Sequence, residues 1–286
     1  MNLDEEDKDQ KEIVDAGTKF LVKAGCAIVG YSLGGLEGAL STAFIDSAID
    51  IFKTDYSKRS ISPWEERRVR KVLDGFRKKV QNRLDKREPL RNDGFFKLSS
   101  SGHPACSEIP FEEQPPSIEA IEGILLAAQR EHEEKKLLFL GNLLANIFFE
   151  PGIDISQINF LIKIGSTISF RQMCILSMFS EPYRSTMDGR YRADVTFPKP
   201  NDNLNSILQE IINLGSQGLL YENDEPVTKP YFISRPCSIN VIGAGSNLYK
   251  LMELSEINKA YLDAIVLDLF PNETKKFLED FPEFRI

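Results

Sequence analysis

A chain of 286 residues with 42% hydrophobic content is long enough for one large domain or two ordinary ones, and it can fill a core. Its net charge of -8 argues against a general attraction to nucleic acid or anionic lipid, although uneven spacing of the charges leaves room for a local basic surface. Cys26, Cys106, Cys174 and Cys237 are far apart and form no CxxC pair, which suits unbridged thiols in a reducing compartment. The acidic opening Asp4-Glu5-Glu6-Asp7 is the opposite of a signal peptide's positive start, so a cytoplasmic location is expected.

Ile13 to Leu40 reads as helix, with a second helical pattern from Ala43 to Phe52. Within Ala24 to Ile45, Gly30, Gly34 and Gly38 are spaced four apart and expose bare backbone on one helix face. Four glycines between Gly30 and Gly38 each lower helix propensity by roughly 1 kcal/mol, so close packing against another helix must compensate. Two readings stay open for this segment, self-association with membrane insertion and a helical hairpin in a soluble core. Lys23, Glu37 and Asp46 weigh against insertion, because a charge at bilayer depth costs on the order of 3 kcal/mol unless it lines a pore.

Ser62 as cap, Pro63 at the first helical position, and Glu65 and Glu66 in the first turn predict a helix running to residue 87. Val69, Val72, Leu73, Phe76, Val80 and Leu84 share its apolar face. From Lys58 to Arg91 there are thirteen Lys or Arg against five Asp or Glu, a local +8 inside an acidic protein. Arg67, Arg70, Lys71, Arg77, Lys78 and Lys79 are the candidate contacts to an anionic surface, either a membrane or an acidic protein partner. The bland alternative is a solvated helix face.

Residues 92–116, rich in Pro, Gly and Ser, read as a linker. Ser117 opens a long pattern to Phe149, with Ile118, Ile121, Leu125, Ala128, His132, Phe139, Leu143 and Ile147 near one stripe. Unbroken, that central helix (117–154 with its terminator) would be roughly 50 Å long, with Gly141 as a kink and Glu131–Lys135 and Arg130–Glu134 pairs on its wet side. Pro151 and Gly152 end it.

Residues 155–257 form the next region. A short helix covers Ser156 to Ile164, and Ser169 with Gln172 makes a capping box for a helix from Phe170 to Phe179. Tyr191 to Phe197 partly alternates like a strand, Leu204 to Leu214 is a helix ended by Gly215, and Leu219 to Tyr221 begins a hairpin whose return is Tyr231 to Ile242. Leu248 to Leu254 is again helical, and the tail 258–286 carries one or two short helices split at Pro271. Helix, helix, hairpin, helix is the order of a winged-helix module. The fold class expected is mainly α, with helical N-terminal and central regions and a C-terminal winged-helix-like α+β module.

Chemistry finds few footholds. His132 lies in His-Glu-Glu-Lys-Lys, without the second histidine of a zinc helix, and reads as an ordinary half-buried residue; His103 precedes Pro104 in the linker. Gly243-Ala244-Gly245 lacks the rest of a dinucleotide or phosphate-binding pattern and reads as a turn into a helix. No catalytic residue, metal site or cofactor is expected. A winged-helix regulator of DNA is the alternative reading, with Arg70, Lys71, Lys78 and Lys79 as phosphate contacts. Pro200 to Thr228, which holds the would-be recognition helix, contains acidic residues but no Lys or Arg, so the module suits an unidentified protein partner better than a duplex.

The stretch Phe139-Leu-Gly-Asn-Leu-Leu-Ala-Asn146, followed by Pro151, the helix Ile158 to Ile164 and Ser169-Phe-Arg-Gln-Met-Cys-Ile-Leu176, resembles the abortive-infection alpha family of bacterial phage-defence proteins. The resemblance covers residues 115 to 180 and carries no chemical residue. It implies a mostly helical bacterial cytoplasmic protein acting in growth arrest or death on infection. The combined expectation is a non-enzymatic effector that self-associates through Gly30, Gly34 and Gly38.

Overall fold

The computed structural model describes residues 62–95, 116–181, 183–184, 202–222, 225–227 and 239–269. Gly30, Gly34 and Gly38, the strand 191–197, most of the linker and the tail beyond residue 269 lie outside the described residues. The chain divides into two units, residues 1–166 and 167–286. Among the described residues the fold is mainly helical, with a small antiparallel sheet near the C-terminus.

In the first unit, α1 (Pro63–Asp85) starts where the sequence directs. The Ser62 hydroxyl accepts from the Glu65 N–H, and the Glu65 carboxylate accepts from the Ser62 N–H at 2.8 Å, a complete capping box. Val69, Val72, Leu73, Phe76 and Val80 are buried, as the helical spacing requires. They face α3 (Lys136–Ile147), where every residue but Leu138 is buried. A helix apolar nearly all round belongs inside a bundle. Its crossing with α1 is close: a Cβ on Gly141 would meet the Val72 carbonyl oxygen at 3.0 Å. Gly141 is therefore a point of close helix contact.

The expected single central helix is instead two. The first, α2 (Pro116–Arg130), is separated from α3 by the five residues Glu131 to Lys135. The Glu131–Lys135 and Arg130–Glu134 surface pairs are replaced accordingly. Glu131 pairs with Lys136, and both side chains are 4% exposed. His132 is turned outward, its side chain 86% exposed, which corrects the half-buried reading. The helix α4 (Ile155–Thr167) closes this unit and was expected in the C-terminal module; Ile162 on it lies 3.6 Å from where a Cβ on Gly123 of α2 would sit.

The second unit centres on α5 (Phe170–Phe179), which has the expected Ser169–Gln172 capping box. Around α5 pack α6 (Asp202–Ser216), α7 (Ala244–Met252) and α8 (Lys259–Leu269). The sheet has the order β2–β1–β3, from β1 (Leu220–Glu222), β2 (Glu225–Pro226) and β3 (Ile239–Val241). Leu220 pairs with Val241 and Glu222 with Ile239, so the expected hairpin partners meet, with β2 added on the other edge of β1. Gly215 falls inside the last turn of α6, where a Cβ would lie 1.8 Å from the Val227 carbonyl oxygen, so only glycine fits. The Ser177 hydroxyl donates to the Leu254 carbonyl oxygen at 2.9 Å and ties α5 to the turn after α7.

Candidate functional site

Burying one face of α1 fixes where its other residues point. At 100° per residue, Trp64, Arg67, Lys71, Asp74 and Lys78 fall on the side opposite Val69, Val72 and Phe76. All five are exposed, and Trp64, the only tryptophan of the chain, is 66% exposed. The Arg67 guanidinium carbon lies 5.9 Å from the centre of the Trp64 ring. The outward stripe thus carries one aromatic, three cations and one carboxylate.

The other basic residues of α1 are placed differently. Arg68 donates to the Gln129 carbonyl oxygen at 3.2 Å, so it fastens α1 to the end of α2. Arg83 donates to Glu88 at 2.6 Å and to Asn146 Oδ1 at 2.8 Å, with its guanidinium 4.3 Å from the centre of the Phe149 ring. These two are structural. Arg70 pairs with Glu66 one turn back at 3.5 Å, and Arg77 and Lys79 lie half-buried on the flanks. Lys71 reaches Glu134 at 3.4 Å across an exposed gap. Of the six residues singled out in the sequence, Arg67, Lys71 and Lys78 share the outermost stripe, and Arg70, Arg77 and Lys79 border it.

At the C-terminal end of α3 stands an arginine that charge counting alone does not distinguish. The Arg91 side chain is 4% exposed. It donates to both oxygens of Asp93, to the Ile153 carbonyl oxygen at 2.8 Å and to the Ile147 carbonyl oxygen at 3.3 Å. Its own N–H donates to the Phe148 carbonyl oxygen at 3.0 Å, and its guanidinium lies 4.4 Å from the Phe95 ring centre. Arg91 therefore satisfies carbonyls at the C-terminal end of α3 that have no intrahelical partner. The guanidinium's hydrogen bond is the main cause holding the Asp93 carboxyl below its usual range.

Among the described residues, no group of His, Cys, Asp and Glu is arranged to hold a metal, and no helix is long and apolar enough to cross a membrane. In the second unit some polar contacts tie elements together: Arg171 to Glu210 at 2.8 Å joins α5 to α6, and Tyr249 to the Glu181 carbonyl oxygen at 2.7 Å anchors α7. Comparison with family models, with curated proteins and with solved structures finds no match to this chain.

Proposed function

We propose that this chain is a non-enzymatic effector or interaction protein whose α1 outer face docks on an anionic membrane surface, with self-association through Gly30, Gly34 and Gly38. The observation that carries the reading is the stripe Trp64, Arg67, Lys71 and Lys78, an exposed aromatic beside outward cations on a rigid, well-capped helix. Indole rings favour the headgroup region, and each Lys or Arg near an anionic leaflet contributes about 1 kcal/mol. Asp74 on the same stripe and Glu134 paired with Lys71 offset part of the positive charge, which makes this a weak, reversible docking surface that gains from avidity in an oligomer. The resemblance to the abortive-infection alpha family supports a role in bacterial phage defence, and a protein partner for the second unit fits its acidic α6.

The test is flotation of the full chain with neutral vesicles and with vesicles containing about a third anionic lipid, beside a salt titration with duplex DNA. Flotation confined to anionic vesicles is the expected result. Absence of flotation at low salt refutes the membrane reading, and duplex affinity falling steeply with salt would favour the DNA-regulator alternative instead.

A further inference from the structure

The break between α2 and α3 is held by charge chemistry in a sequence that would otherwise continue as helix. Glu131 to Lys135 contains neither Gly nor Pro, and the apolar stripe of Ile121, Leu125 and Ala128 resumes at Phe139, Leu143 and Ile147 in the same helical phase. The Glu131 carboxylate is turned inward, where it accepts from the Glu133 N–H at 2.8 Å and pairs with Lys136. The Lys136 ammonium also donates to the Ser166 carbonyl oxygen at 3.0 Å. In a straight helix residues 131 and 136 lie about 140° apart and cannot meet. The buried pair therefore belongs only to the broken form, whereas the surface pairs Glu131–Lys135 and Arg130–Glu134 belong only to the straight one.

We infer that residues 131–135 are a hinge for domain swapping between two copies of this chain, in which α2 and α3 join into one helix and each copy's α3 packs against the other copy's α1. The occupant is fixed by the packing itself. Opening the hinge strips α3 from Val72, Gly75 and Phe76 of α1, where Gly141 fits to 3.0 Å. The one surface certain to refill that close-fitting face is the same helix from a second copy. Every contact of α3 with α1 is recovered in the exchange, so the cost lies in the hinge, chiefly in the Glu131–Lys136 pair. This route to self-association is independent of Gly30, Gly34 and Gly38.

The experiment uses full chains carrying Gly34→Leu, so that association through the glycine face is not read, refolded from denaturant at micromolar and near-millimolar concentration. Size exclusion with light scattering gives the dimer-to-monomer ratio, and circular dichroism checks folding. Three chains are compared: the Gly34→Leu parent, Glu131→Gln on it, and Glu134→Pro on it. Position 134 is the first inner residue of a turn closed by the Lys136 N–H on the Glu133 carbonyl oxygen at 2.9 Å, where proline suits the turn and blocks a continuous helix. The parent is expected to form some dimer at high concentration, Glu131→Gln to raise the ratio at least about tenfold by weakening the buried pair, and Glu134→Pro to leave monomer only. Parent chains that stay monomeric at both concentrations overturn the proposal, as do dimers that persist with Glu134→Pro. If Glu131→Gln does not fold, the parent and proline chains alone decide.

Discussion

Replacing Arg91 by Met keeps the apolar stem of the side chain and removes its guanidinium, and the structure sets the cost. The Ile147 and Ile153 carbonyl oxygens lose charge-assisted donors, and Ile147 is fully buried. Each buried acceptor left unsatisfied costs about 1–3 kcal/mol. Loss of the guanidinium from the Phe95 ring adds about 0.5–1 kcal/mol. Asp93, whose side chain is 32% exposed, regains water and adds little. Over the two acceptors and the ring contact the total is about 2.5–7 kcal/mol, a large part of the stability of an ordinary domain. Urea unfolding followed by circular dichroism measures it, with Lys86→Met as the control for an exposed cation. A loss below about 1 kcal/mol for Arg91→Met would refute the claim that this arginine fastens the C-terminal end of α3.

The remaining expectations concern the same unit. Asp93 has a depressed pKa in the folded chain, so its stabilising contribution is complete above the unfolded value near 3.8 and is lost as pH falls through the lower folded value. The stability gap between wild type and Asp93→Asn should accordingly be flat above about pH 5 and close below about pH 4, as read by urea midpoints across pH. Gly141→Leu should destabilise by about 1–3 kcal/mol or more in thermal unfolding, because the added atoms meet α1 backbone at Val72 and Phe76. Glu134→Gln removes the partner that neutralises Lys71, and vesicle partitioning should rise by up to about fivefold. Neutralising Arg67, Lys71 and Lys78 together should weaken the same partitioning by about 2–3 kcal/mol, roughly thirty- to one-hundred-and-fifty-fold.

Local signals in the sequence carry far where they act alone. Ser62 with Glu65 and Ser169 with Gln172 set two helix starts to the residue, and the apolar spacing of α1 names its buried face. The pairing of β1 with β3 was legible as apolar runs at Leu219 to Tyr221 and Tyr231 to Ile242, while β2, two residues long, is too short to leave a period. The break at 131–135 was not legible, because the periodicity continues through it and the pair that holds it needs tertiary burial. Gly141 looked like a local kink, yet its role comes from a helix about 65 residues earlier in the chain. At the candidate site, composition marks a basic helix but does not separate Arg67, Lys71 and Lys78 from Arg68 and Arg83. Only the positions of Gln129, Glu88 and Asn146 make that division.

The chain's one tryptophan lies on the stripe proposed to meet an anionic membrane, so its emission reads that site alone. Docking predicts that Trp64 fluorescence of the full chain shifts to shorter wavelength on adding anionic vesicles, keeps its exposed maximum with neutral ones, and loses the shift when Arg67, Lys71 and Lys78 are neutralised. An emission maximum unmoved by anionic vesicles at low salt, or moved equally by neutral ones, would contradict it.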